Sequence, residues 1–166
     1  MIDGAYVERM ARYNRWQNEN LHSAADRLSE TEWRRVRGAF WGSIHKTFNH
    51  LLWGDQKWMS QLTGSARPPV GIADTGSLCA DWTALKAERV RFDQTIIDWA
   101  DTIAPSWLAA EMTHHSLAVQ RDVTEPHWVP VTHLFNHRTH HRGQVHCMPT
   151  QAGERPADTD LPFMPE

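Results

Sequence analysis

Apolar residues in this chain return every three or four positions along four separate stretches, and that period holds almost throughout. The spacing matches the 3.6-residue turn of an α-helix, and a chain patterned this way buries its apolar faces by packing helix on helix. In the first stretch, about Tyr6 to Leu28, the residues Tyr6, Met10, Tyr13, Gln17, Leu21, Ala24 and Leu28 make one mostly apolar face, with Asn14 and Asn18 beside it. Ser29-Glu30-Thr31-Glu32 has capping-box spacing, so a short new helix is expected there. The second stretch covers about Ala39 to Leu62 and stops at Gly64; Trp41, Ile44, Phe48, Leu51, Met59 and Leu62 share its apolar side. The third, about Leu78 to Ile103, packs through Leu78, Trp82, Leu85, Phe92, Ile96 and Trp99, with Glu88, Arg89, Arg91 and Asp93 read as its solvated face. The fourth opens at Val129-Pro130, where the missing proline N–H costs nothing, and runs to about Thr150. Pro149, late in that stretch, predicts a kink or an early end.

Between these stretches the chain is punctuated. Residues 64–76 are rich in Gly, Pro, Ser and Thr and read as a surface connection. Trp107 to Met112 suits a short helical turn, THHSLAVQRDVTEPHW an extended piece or a small hairpin, and the proline-rich tail from Gly153 to Glu166 a segment draped over the surface. The whole predicts one all-α domain over residues 1–166, a four-helix bundle with a short irregular segment before the last long helix.

Composition excludes several function classes. Seventeen basic against 20 acidic residues give no electrostatic footprint for nucleic acid or an anionic membrane. Two cysteines, Cys79 and Cys147, are too few for a disulfide framework or a cysteine-rich zinc site. No apolar run approaches the roughly 20 residues that span a bilayer, and the charged N-terminus does not resemble a signal peptide, so a cytoplasmic protein is expected. The nine tryptophans are read mainly as core.

Histidine is the anomaly. Five of the 11 stand in THLFNHRTHHRGQVHCM, residues 132–148, with His133, His137 and His141 at four-residue intervals. On a helix, residues four apart lie about 40° apart around the axis and about 6 Å apart along it, close enough for two imidazoles to meet one metal ion. His137 and His141 share their face with Leu134, Val145 and Met148, so they point inward, while His133 sits at the rim and His140 further toward solvent. Neutral imidazoles buried without partners cost free energy, and metal ligation answers that cost. Spacing alone leaves open whether the pair is His133 with His137 or His137 with His141. In the second stretch, His50 falls on the flank of the apolar face, a position suited equally to a ligand and to an ordinary surface histidine. Asp55 falls near the middle of that face and is read as a hydrogen-bond or ion-pair partner, because buried charges are paired.

Taken together, NHRTHHRGQVHCM with the following TQAG and DTDLPFM resembles the C-terminal signature of the DinB family, HLLWGDQKW resembles its second-helix motif, and YNRWQNENL its first-helix motif. The blocks run in the family order from end to end of the chain. The resemblance implies a helical bundle with a three-histidine divalent metal site, and by position its ligands are His50, His137 and His141, with His133 and His140 outside the set. Zinc and nickel both suit imidazole ligands. Pro149 departs from the family, whose members usually keep a helix-compatible apolar residue there.

Several proteins of that family transfer low-molecular-weight thiols such as bacillithiol or mycothiol to electrophiles, and others look like metal-dependent hydrolases. The resemblance thus implies a metal-dependent enzyme of thiol-transferase or hydrolase type acting on a small-molecule substrate in stress response or detoxification. The alternative is a non-catalytic metal-binding or protein-interaction module, a homodimer joined through an exposed aromatic patch. DNA binding is opposed by the acidic net charge of −3.

Overall fold

The computed structural model describes residues 2–116 and 119–166. Four long helices dominate it: α1 (Gly4–Ala25), α3 (Ile44–Thr63), α4 (Trp82–Ala100) and α6 (Trp128–Gln151). Short helices α2 (Glu30–Arg34) and α5 (Pro105–Ala109) lie between them, and strands β1 (Glu111–Ser116) and β2 (Arg121–Pro126) form an antiparallel hairpin just before α6. The hairpin pairs Glu111 with Pro126 and Ser116 with Arg121, so the expected extended segment is a small sheet; Leu117 and Ala118 of that segment lie outside the described residues. Helix α1 packs on α4 and α6, and α3 packs on the same two, which puts α1 and α3 at opposite corners of the bundle. Val7, Leu21, Ile44, Phe48, Leu52, Leu85, Ile96, Val131, Phe135 and Val145 fill the space between them.

Local chemistry sets the helix starts. Asp3, Ser43 and Asp81 each accept a hydrogen bond from the backbone N–H three residues on, satisfying a donor that the first turn leaves free. Ser29 caps α2 in the same way, as its capping-box spacing predicts. Two expected boundaries move for this reason. Helix α3 begins at Ile44 rather than Ala39, because Gly38 and Gly42 adopt positive φ and Gly42 N donates back to Ala39 O at 2.8 Å, closing a tight turn before the Ser43 cap. Helix α4 begins at Trp82 rather than Leu78, because Asp81 is extended and its carboxylate accepts from the Ala84 N–H at 2.8 Å, capping the helix there. Helix α6 runs through Pro149 to Gln151 instead of ending early, and Pro130 lies in its first turn as expected.

Two expected faces are corrected. Arg89 and Asp93 are buried, not solvated. On α1 the expected Gln17, Leu21 and Ala24 are buried, and so are Val7, Ala11, Asn14, Asn18 and Ala25, while Tyr6, Met10, Tyr13 and Leu28 are half-buried at the edge. One polar network explains both. Asp55 of α3 accepts from Arg89 of α4 and from Arg138 of α6. Arg89 Nη2 lies 2.8 Å from Asp93 Oδ1, and Asp93 accepts from Asn18 Nδ2 of α1 at 2.9 Å. Each long helix contributes a member, so polar residues stand where hydropathy alone would place apolar ones.

The tail lies on the surface as expected. Tyr13 Oη donates to Thr159 O at 2.6 Å, Gln17 Nε2 donates to Asp158 O at 3.0 Å, and Met164 is buried at its end. The 64–76 connection is not wholly exposed: it ends in a 3₁₀ turn, Ile72–Ser77, in which Thr75 is fully buried. None of the described helices is long and apolar enough to cross a membrane.

Candidate metal centre

Two elements build the histidine cluster. His50 stands in mid-α3, and His137 and His141 stand one turn apart on α6, the helix packed against it. One ring nitrogen from each of the three lies within 4.8 Å of the others. The closest approach is His50 Nε2 to His137 Nε2 at 3.2 Å, and the His137 and His141 ring centroids are 4.6 Å apart.

That approach depends on Gly54, one turn after His50. A Cβ there would stand 2.9 Å from His137 Cε1 and 3.4 Å from its Nδ1, well inside ordinary contact. A glycine inside a helix costs up to about 1 kcal/mol relative to alanine, and here the cost is offset by what it admits. On either side of this contact, Asp55 follows Gly54 and Arg138 follows His137, so their ion pair fixes the two helices at the level of the rings.

The outer nitrogens of two rings are engaged. His141 Nδ1 donates to Gln144 Oε1 at 3.2 Å, and the Gln144 amide in turn donates to His140 Nε2 at 3.2 Å. His50 Nδ1 lies 3.1 Å from the buried Thr75 Oγ1. With the ring protons on Nδ1, the Nε2 lone pairs of both residues are left for the centre of the cluster. A proton on His137 Nε2 satisfies one neighbour; a cation satisfies three lone pairs at once. The donor set therefore fits a divalent ion.

All three rings are held neutral, the state a ligand needs. Burial pushes His50 down to about 3, aided by His141 and His137, and burial pushes His137 down to about 4, aided by His141 and opposed by Asp55. Burial also lowers His141. The Trp41 indole, carried on the Gly38–Gly42 turn, stacks on His50 with centroids 4.1 Å apart, and Trp53 lies beyond at 6.0 Å.

A profile of the DinB family matches residues 1–166. The chain belongs to the DinB family. No curated protein matches it. In this DinB protein the residues singled out by spacing and motif divide cleanly. His50, His137 and His141 converge. His133 stands one turn earlier, its ring 5.7 Å from that of His137 and 4.8 Å from Trp58, and His140 is exposed. Asp55 is the ion-pair partner expected of it.

Four contributors escape a reading of the sequence. Gly54 carries a usable signal, since an interior helical glycine needs a packing reason. Thr75 and Gln144 carry none, because only the folded chain brings them to the outer ring nitrogens. Trp41 was expected on the core face of the second helix; its glycine-flanked turn places it over His50 instead.

Proposed function

We propose that this protein is a metal-dependent enzyme in which His50, His137 and His141 hold a divalent ion, zinc or nickel, and whose substrate is a small molecule. The observation that carries the proposal is the convergence of three neutral ring nitrogens within 4.8 Å. Such an ion lowers the pKa of a coordinated water or thiol and supplies an anionic nucleophile near neutral pH. The chain's own residues do the rest. Thr75 and Gln144 set ring tautomer and orientation, Gly54 admits His137, and the Asp55–Arg138 pair keeps α3 and α6 in place. Trp41 walls one side of the cluster and shields His50 from water. Three imidazoles, with no fourth ligand grouped with them among the described residues, match the donor pattern of catalytic rather than structural zinc sites. Thiol transfer and hydrolysis both use this arrangement, with a low-molecular-weight thiol as co-substrate in the first case, and stress response or detoxification is the fitting role.

Elemental analysis of protein purified without a histidine tag tests the ligand set. His137→Ala should lose most of the metal and His140→Ala should keep it; equal losses refute the assignment. Titration with a small thiol then separates the readings. A thiol-dependent change in the visible spectrum of the cobalt-loaded protein supports an enzyme. A second reading, a non-catalytic interaction module, draws on Val36 and Phe40, which are 76% and 79% exposed beside Trp41. Silence toward every thiol and anion would favour it.

A further inference from the structure

The bundle interior holds an unbalanced charge. Among the described residues, the buried charged side chains, histidines aside, are Arg89, Arg138 and Arg142 against Asp55 and Asp93. Arg89 and Arg138 share Asp55, and Arg89 also meets Asp93. The three guanidiniums thus face two carboxylates, and neither carboxylate bonds Arg142. Its partners among the described residues are neutral: Nη1 donates to Asn14 Oδ1, Nη2 donates to Thr139 Oγ1 at 3.3 Å, and the guanidinium lies over the Tyr13 ring at 5.3 Å. A guanidinium stays protonated at neutral pH even in a protein interior, so Arg142 carries a full positive charge. An interior cation without an anion carries a desolvation cost of several kcal/mol.

A cavity of about 270 Å³ opens onto this guanidinium between α1, α6 and the C-terminal tail. Tyr13, Gln17, Thr139, His146 and Thr159 wall it, and no carboxylate does. Asn14, which accepts from Arg142, has its own buried Nδ2 without a partner among the described residues. The cavity is separate from the histidine cluster: one residue on from His141, the helix has turned by about 100°, from α3 toward α1. We propose that this cavity binds a small oxyanion, the carboxylate or phosphate group of a small molecule, with the Arg142 guanidinium as its counter-charge. A planar guanidinium suits either group, and the volume suits a small ligand.

Inorganic phosphate and acetate, each compared with sodium chloride at matched ionic strength, test this on the metal-free full-length chain. At ten times its Kd, a bound anion should raise Tm by about 3–6 °C. A response to phosphate alone, acetate alone or both supports the site and says which oxyanion it takes. Arg142→Gln should abolish the response. Should that variant fail to fold, Gly143→Leu decides: Gly143 lines the cavity, is exposed, and a Cβ added there meets nothing within 4 Å. It should keep native helicity while blocking the anion. A Tm rise no larger than that in chloride, or one that survives Gly143→Leu, overturns the proposal.

Discussion

Gly54→Ala separates the stability of the fold from that of the metal centre. The new Cβ would lie 2.9 Å from His137 Cε1, whereas carbon atoms settle at about 3.5–4.0 Å. The ring must therefore retreat by roughly 0.6–1 Å, several times the ±0.2 Å within which zinc–nitrogen distances are held. The three heavy atoms nearest that Cβ all belong to the His137 ring, so the cost falls on a ligand. Metal affinity should drop about 10–100-fold, equivalent to about 1.4–2.8 kcal/mol. The metal-free protein should change in the opposite direction, because alanine favours a helix interior over glycine by up to about 1 kcal/mol, or about 2–4 °C in Tm at this size. Competition against a chromophoric chelator measures the first quantity and thermal circular dichroism of the chelated protein the second. Undiminished affinity would refute the argument, as would a metal-free Tm several degrees below that of the parent.

Further perturbations probe other parts of the structure. Asp55→Asn leaves Arg89 and Arg138 without their shared carboxylate and should cost on the order of 3–5 kcal/mol in urea unfolding of the metal-free protein; a loss under 1 kcal/mol would show that the network adds little. His22, stacked on Phe48 at 3.9 Å, is pushed down to about 3, chiefly by burial and then by the Arg89 charge. The unfolded chain therefore binds the extra proton: His22's contribution is complete above pH 6.5 and is lost as pH falls toward 3, at up to about 1.4 kcal/mol per pH unit. His22→Leu should flatten the stability–pH slope between pH 4 and 6, and an unchanged slope counts against it. Because Trp41 stacks on His50, metal loading should quench tryptophan emission, and Trp41→Phe should remove most of that response.

The four long helices are legible in the sequence because their apolar period is local. The tight spacing of His137 and His141 is legible for the same reason, and the motif resemblance adds His50. What escapes is non-local. Arg89 and Asp93, four residues apart, look like an ordinary surface pair; they are interior because Asp55 and Asn18 reach them from α3 and α1, a fact no window along α4 contains. The same polar partners widen the buried face of α1 to take in Asn14 and Asn18. Thr75 is hidden for a related reason, since a Gly- and Pro-rich segment reads as surface until its far end is seen to fold back on His50.

The buried ion-pair network also limits how the bundle can misassemble. Sliding α6 along α3 by one helical turn, about 5.4 Å, would keep apolar residues facing apolar residues at modest cost. The slide would also pull Arg138 away from Asp55 and leave interior charges unpaired, a penalty of several kcal/mol. His137 neighbours Arg138, so every slipped packing that breaks the ion pair also carries His137 out of reach of His50. Correct assembly of the helices and correct geometry of the three histidines are thus a single event, and a folded population should contain few molecules with a native bundle and a scattered ligand set.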